Sequence, residues 1–394
     1  MDLWTKFKSK LLGSKGLGTL GLSDILARGV TTILWFYLAS IMSSEGYGEL
    51  HFMMSIAAMG GVLSLFATPT AVTVYVSKNF KLESTLYFIS LLAGLACSVI
   101  IILIFSRLDV GLLVFGFIIN DLTIAYLLGK KQYTKYAKYL LTQKLSAVIL
   151  CILLYYWIGN VGVIYGLFIS YLPFIIILYK GFKETKISFS DLKPRKGFLM
   201  NNYMISLASV FRDQLDKLLI GSLLGFSLLG NFAIAVQVYA VFMIITNIVV
   251  RYLLPDDARN ISNTKLKKLT ILISILISIF GVFVAPHIIS LVLPQYVDAV
   301  DFIQIMSLGV IPATLGLILS TKLLGSEKSK HVLIGRWISA ITMISGILLL
   351  GTVYGTIGLA LSFILSSTLF AVYLSVNIYL RTNESNNMSN GVEL

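Results

Sequence analysis

About twelve apolar stretches alternate with short connections, and every second connection is rich in Lys and Arg while those between are nearly free of them. At about 20 residues, each stretch is long enough to cross the roughly 30 Å hydrocarbon core of a bilayer as a helix. Lipid offers the backbone no hydrogen-bond partners, so a spanning segment must satisfy its amides internally. The alternation adds direction, because cytoplasmic connections retain positive charge and translocated ones shed it. The chain is therefore expected to be an all-α, polytopic membrane protein.

Helices are expected near 20–42, 50–76, 86–105, 109–129, 138–157 and 160–180, then near 201–224, 229–254, 267–285, 301–324, 332–351 and 355–380. The cytoplasmic connections hold Lys6, Lys8, Lys10 and Lys15, then Lys78 and Lys81, then Lys130, Lys131, Lys135 and Lys138. The central one adds Lys180, Lys183, Lys186, Lys193, Arg195 and Lys196. Later come Arg259, Lys265, Lys267 and Lys268, then Lys328, Lys330 and Arg336, and last Arg381. The opposite side offers Arg107 alone. This bias places both termini in the cytoplasm of a cell (plasma or inner) membrane. Residues 1–12, with Leu3, Trp4, Phe7 and Leu11 on one face among Lys6, Lys8 and Lys10, suit a short helix lying on the inner surface. They lack the features of a cleavable signal peptide.

Composition excludes several classes. Hydrophobic residues make up 57% and charged residues 12%, about half the charged share of a soluble protein. The net charge of +13 is dispersed among separated loops and forms no continuous basic face, so nucleic acid is not an expected partner. The basic loops face anionic membrane lipids instead. Cys97 and Cys151 fall inside apolar segments with no CxxC or Cys/His cluster, which argues against a disulfide framework or a zinc site. His51, His287 and His331 are scattered singly. No GxSxG, HExxH or Walker A string occurs, so neither an enzyme, a catalytic residue, a metal nor a cofactor is expected. Asp256-Asp257 and Asp298 with Asp301 read as solvated acids at helix ends.

The chain reads as a duplication. An N-terminal lobe at 1–185 (the interfacial helix and six spans) is followed by a basic cytoplasmic linker at 186–200 and a second six-span lobe at 201–394. Tyr37–Gly48 aligns with Leu219–Gly230, matching Ser40 to Ser222 and Gly48 to Gly230. Gly166-Leu-Phe-Ile-Ser170 likewise aligns with Gly358-Leu-Ala-Leu-Ser362. Six helices per half keep both halves in one orientation, related by an axis along the membrane normal and enclosing a central cavity.

Charges inside spans are costly and point to a pathway or a partner. The first span carries Asp24 and Arg28, and the seventh carries Arg212-Asp-Gln-Leu-Asp-Lys217. Asp24 with Arg28, Arg212 with Asp216, and Asp213 with Lys217 are each four apart and able to pair along one face. Asp121 beside Asn120 lies in the fourth span, Lys144 in the fifth and Arg251 near the end of the eighth. Five bases (Arg28, Lys144, Arg212, Lys217, Arg251) exceed four acids (Asp24, Asp121, Asp213, Asp216). A basic cavity would attract a pyrophosphate head group, and the planar fork of Arg suits phosphate oxygens. Pro69, Pro173, Pro255 and Pro312 fall in or at the ends of spans, where prolines mark kinks.

Four strings carry a family resemblance: Tyr37-Leu-Ala…Glu45-Gly-Tyr-Gly48, Arg212-Asp-Gln-Leu-Asp-Lys-Leu-Leu-Ile-Gly221, Leu293-Pro-Gln-Tyr-Val-Asp-Ala299 and Tyr354-Gly-Thr-Ile-Gly-Leu-Ala360. With twelve helices in two lobes, the chain resembles the polysaccharide transporter family, which includes the Wzx-type O-antigen flippases of the MOP (multidrug/oligosaccharidyl-lipid/polysaccharide) superfamily. The resemblance covers almost the whole chain. It implies a MATE-like fold and translocation of a polyprenyl- or dolichyl-pyrophosphate-linked oligosaccharide to the outer leaflet by alternating access, for surface polysaccharide or glycan biosynthesis.

By that resemblance Arg28, Arg212 and Lys217, with Lys144 and Arg251, would contact the head group. Asp24, Asp213, Asp216 and Asp121 would be charge partners or coupling-ion sites, with coupling to a proton or sodium gradient left open. The partners would be the lipid-linked oligosaccharide and membrane lipids, and the protein is expected to be a monomer. The alternative is a MATE-like cation-coupled multidrug antiporter, which calls for a net acidic cavity.

Overall fold

The computed structural model describes the backbone of residues 15–390 apart from positions 67, 78, 79, 81, 259, 260, 262 and 327. The interfacial helix expected at 1–12 lies outside the described residues, as do the side chains of Arg212 and Arg251. Every regular element among the described residues is helical. The first part of the chain forms α1 (Lys15–Ile41), α2 (Ser44–Leu65), α3 (Thr68–Ser77), α4 (Glu83–Phe105), α5 (Leu108–Gly129), α6 (Tyr133–Ile158), α7 (Asn160–Tyr171) and α8 (Ile175–Lys183). After a 3₁₀ turn at Ser190–Arg195 come α9 (Lys196–Leu224), α10 (Phe226–Phe242), α11 (Ile244–Ala258), α12 (Thr264–Phe283) and α13 (Ala285–Val292). The chain continues as α14 (Ala299–Leu308), α15 (Val310–Gly325), α16 (Ser329–Gly346), a π-helical turn at Ile347–Gly351 and α17 (Thr352–Asn390).

Eight helical stretches among the described residues are long and apolar enough to cross a membrane, and two bent pairs raise the number to ten. The protein is a multi-pass membrane protein. The count of twelve is not reproduced on these criteria, for two physical reasons. α9 carries the Arg212–Lys217 charges, which make it too polar to qualify. The eleventh and twelfth expected spans fall in one 52-residue stretch, Ser329–Leu380, interrupted at Gly355 by non-helical backbone (φ 54°, ψ −126°). The eighth and tenth expected spans are the bent pairs, by 47° at Met243 and by 44° at Gly309.

The second expected span begins earlier than its hydropathy indicates. Ser43 Oγ accepts the Gly46 amide at 3.1 Å, an N-cap that lets the helix start at Ser44 with Glu45 in its first turn. It then breaks at Phe66 (φ 45°), and Pro69 lies in the first turn of α3, where its missing N–H leaves no helical bond unmade. Pro173 sits in the 3₁₀ turn Leu172–Phe174 that joins α7 to α8.

The chain divides into two compact units: residues up to Met42 with Glu49–Val210, and Ser43–Gly48 with Phe211–Leu394. The helix α9 passes from one unit to the other within its length. In the first unit Ala27 of α1 packs with Tyr126 and Leu127 of α5 and Tyr136, Tyr139 and Leu140 of α6. The segment after α8 is fixed to the same unit. Arg195 lies over the rings of Phe80 (4.5 Å) and Tyr75 (5.4 Å), and Ser188 donates its amide to Thr85 at 2.8 Å. In the second unit Leu323 and Val332 pack on Phe370 and Leu374, and Val249 and Leu253 on Ile318.

The second unit contains a reciprocal helix crossing. A Cβ on Gly48 would fall 1.8 Å from the carbonyl oxygen of Phe226, and one on Gly230 would fall 1.9 Å from that of Ser44. Ser44 and Ser227 share a hydrogen bond at 3.0 Å beside it. Small residues let membrane helices approach to backbone contact in this way. Gly48 and Gly230, the pair the sequence repeat had matched, therefore meet each other.

The other repeat match is corrected by one helical turn. Gly159 (φ 68°, ψ −146°) and Gly355 (φ 54°, ψ −126°) adopt the same positive-φ backbone that favours glycine, each breaking the helical path three residues before the matched glycine. A Cβ on Gly162 would meet Leu154 O at 2.0 Å, and one on Gly358 would meet Leu350 O at 1.9 Å. Gly162, not Gly166, is thus the counterpart of Gly358. Gly48 and Gly230 stand 182 positions apart, but Gly162 and Gly358 stand 196 apart, so the second half holds 14 more residues in between. Most fall between α12 and α14, where the first half has only Ser106 and Arg107.

Candidate functional site

Each unit contains a cavity with an acidic side chain in its wall. In the second unit a space of about 420 Å³ lies among α9, α10, α11, α15, α16 and α17. Asp213, Asp216 and Lys217 from α9 supply its charges, with Tyr239, Asn247, Ser366 and Ser367 as further polar groups. Positions 213, 216 and 217 share one face because a helix turns about 100° per residue. Asp216 is buried (5% exposed), and its Oδ1 accepts the Lys217 amide at 2.7 Å and the Lys217 ammonium at 3.2 Å. Lys217 Nζ also donates to the backbone oxygen of Asp213.

The ion pair expected between Asp213 and Lys217 is accordingly formed by Asp216 instead. The lysine side chain folds back over its own neighbour rather than reaching along the helix to the Asp213 carboxylate. Among the described residues the wall of this cavity thus carries two carboxylates and one ammonium.

In the first unit a space of about 440 Å³ is lined by Pro69, Thr70 and Thr73 of α3 and by Asp121, Ile124, Ala125 and Leu128 of α5. The break before α3 shapes this wall. Asp121 Oδ1 accepts the Asn120 side-chain amide at 2.8 Å, and Asn120 Oδ1 in turn accepts the Tyr139 hydroxyl at 2.7 Å. Lys144 is half-buried and makes no ion pair among the described residues, nor does it line this cavity.

Asp24 and Arg28 do not pair. Asp24 Oδ1 accepts the Tyr136 hydroxyl at 2.7 Å, which turns the carboxylate toward α6. Arg28 is exposed and enters no ion pair among the described residues. The structure thus brings Asp213, Asp216 and Lys217 together around one cavity and puts Asp121 on another. Arg212 and Arg251 lie on α9 and α11, with their side chains outside the described residues.

Sequence reasoning missed Tyr136, Tyr239, Asn247, Ser366 and Ser367, because isolated hydroxyls and amides in apolar helices carry no distinguishing pattern. It also misjudged Asp256 and Asp257 as solvated. Asp256 is buried and accepts from Asn263 at 3.0 Å, while Asp257 pairs with Lys267 at 2.6 Å and accepts from Thr321 at 2.7 Å. These acids join the ends of α11, α12 and α15 in a structural network. Among the described residues no group of three metal-ligating side chains occurs.

No protein-family model and no curated protein matches the sequence. Solved structures match over nearly the whole chain. The lipid II flippase MurJ in an inward closed conformation superposes with a TM-score of 0.74 at 14% identity, covering 91% of this chain and 87% of its own. An inward-facing MATE-family multidrug-resistance transporter of the MOP superfamily gives 0.70 at 14% identity, with 92% and 96% covered. A MOP superfamily transporter from Pyrococcus furiosus, described as having a binding pocket of reverse polarity, gives 0.63 at 15% identity, with 93% and 95% covered. The chain has the fold of the MOP superfamily transporters.

Proposed function

We propose that the protein is a flippase that moves a polyprenyl- or dolichyl-pyrophosphate-linked oligosaccharide from the cytoplasmic to the outer leaflet by alternating access. Both termini are cytoplasmic in this reading, and two six-span lobes enclose the path of the head group. The lipid tail stays in the bilayer while phosphates and sugars cross a wet cavity. The observation that carries the reading is Arg28, an exposed guanidinium about 10 Å into the span that starts at Gly21, without an ion pair among the described residues. Such a group is costly in hydrocarbon, and a phosphate is its natural partner. Lys217 is the second head-group contact, followed by Arg212, Lys144 and Arg251.

Asp216 and Asp213 then serve a coupling cation in the second unit. Arg28→Ala is expected to abolish outer-leaflet display of the glycan at normal protein level, and undiminished display would remove Arg28 from the pathway.

A second reading, a cation-coupled multidrug antiporter, is favoured by the two carboxylates, Asp213 and Asp216, that the described wall of the second cavity carries beside Lys217. Purified protein in liposomes separates the two. Gradient-driven export of organic cations supports the antiporter, and accelerated flipping of a pyrophosphate-linked glycolipid supports the flippase.

A further inference from the structure

Glu83 opens α4 at the linker-bearing end of the first unit, with only 4% of its surface exposed. Its Oε2 has no hydrogen-bond partner, and neither has the hydroxyl of Tyr87, one turn along the same helix and fully buried. α8 lies over Tyr87: a Cβ on Gly181 would stand 3.2 Å from the Tyr87 hydroxyl and 3.1 Å from the Tyr126 ring. The chain leaving α8 is held on the first turn of α4. Ser84 Oγ reaches Phe182 O at 2.6 Å and Thr185 O at 2.8 Å, and the Ser188 amide donates to Thr85.

The described charged and titratable groups around Glu83 come from every neighbouring element. α5 contributes Lys130 and Tyr126, the end of α8 contributes Glu184, and α4 itself contributes Tyr87. Tyr75 of α3 lies under Arg195 instead. Lys130 is committed to Glu184 Oε2 at 2.5 Å, and the Tyr126 hydroxyl donates to Glu184 Oε1. An ionised Glu83 would therefore be buried near a second carboxylate, with the nearest described cation, Lys130, already committed to that carboxylate and one oxygen lacking any donor. Burial of a charge in that state is strongly unfavourable, so the group neutralises or the cover opens.

We propose that Glu83 is a proton-binding site whose occupancy controls the docking of residues 182–188 on α4. With the proton bound, the neutral carboxyl fits beneath α8. When the O–H bond breaks, the proton passes to water, and the carboxylate draws water in and releases the segment that leads toward α9. The site stands apart from both cavities and from the transport reading.

The test uses the full chain in lipid bilayers and infrared difference spectra across pH. The band of a protonated carboxyl is expected to persist well above about pH 4.3, the ordinary glutamate value, and to be missing in Glu83→Gln. Glu184→Gln frees Lys130 to face Glu83, so the band should vanish at a pH lower by about one unit or more. Amides 182–188, corrected for intrinsic exchange, should exchange roughly ten-fold faster above the band's midpoint in the natural chain and show no such step in Glu83→Gln. Identical spectra for the natural chain and Glu83→Gln, or no displacement in Glu184→Gln, would overturn the proposal. So would flat amide protection across the midpoint. Glu184→Gln keeps the test decisive where Glu83→Gln fails to fold.

Discussion

The two units treat the same repeat position differently. Glu49 follows Gly48 in α2, and Asn231 follows Gly230 in α10. In the first unit the residue is gripped from the connection between α4 and α5, and in the second from the segment between α12 and α14 together with the start of α14. In the first unit that connection has two residues, and Arg107 spans the gap, donating from Nη1 to Glu49 at 3.0 Å and bidentately to Asp109 at 2.9 and 2.8 Å. In the second unit the longer segment 284–298 brings the backbone itself into reach, and the Ala299 amide donates to Asn231 Oδ1 at 3.1 Å. It also packs Tyr296 edge-on against Tyr47 at 5.9 Å, both fully buried. A short turn needs a long charged side chain, while a long loop can use neutral groups. Asp109 and Glu49 together hold the Arg107 guanidinium above its ordinary pKa, the Asp109 bond foremost.

The largest effect is expected where the repeat meets itself. Gly48→Ala or Gly230→Ala drives a methyl group into a carbonyl of the facing helix, and each should cost about 3 kcal/mol or more in equilibrium unfolding. The double variant should cost much less than the two combined, because both act on one crossing. Full additivity would break the claim of reciprocity. Next comes Arg107→Ala, which leaves buried Asp109 without its cation and should cost about 3 kcal/mol. Adding Asp109→Asn should recover part of that loss.

Asn231→Ala, the neutral counterpart, should cost only about 1–2 kcal/mol. Equal losses at Arg107 and Asn231 would erase the contrast between charged and neutral grips. The smallest effect is at Lys130–Glu184, a half-exposed pair worth under about 1 kcal/mol. Burial pushes the Glu184 carboxyl up, but the hydrogen bonds from Lys130 and Tyr126 outweigh it and hold the group below the ordinary value. A depressed carboxylate stabilises the fold above its unfolded pKa and loses that contribution as pH falls through the folded one. The stability difference between the natural chain and Lys130→Ala should therefore be flat above about pH 4.3 and shrink below it.

Much of the membrane architecture is legible in residue order. Hydropathy and loop charge reveal the apolar stretches, and the small residues Gly48 and Gly230, singled out by the sequence match, lie at a close helix crossing. The bends at Met243 and Gly309 were not legible, since hydropathy runs smoothly through both. Nor was the one-turn slip at Gly162, because Gly166 offers an equally plausible glycine in a stretch of common small residues. Charges four apart on α1 and α9 announced pairs, yet Tyr136 takes Asp24 and Asp216 takes Lys217. Competing partners from the same turn or from another helix are invisible to spacing along one helix. The Glu45-Gly-Tyr-Gly48 and Leu293-Pro-Gln-Tyr296 strings stood out without a reason, and their tyrosines prove to be packing partners.

The most direct test of the transport account is mass spectrometry of the lipid that co-purifies with the natural chain and with Arg28→Ala. The account predicts a polyprenyl- or dolichyl-pyrophosphate glycan on the natural chain and its loss from the variant at equal protein yield. Bulk phospholipid alone on both chains, or a pyrophosphate glycan bound equally by both, would contradict it.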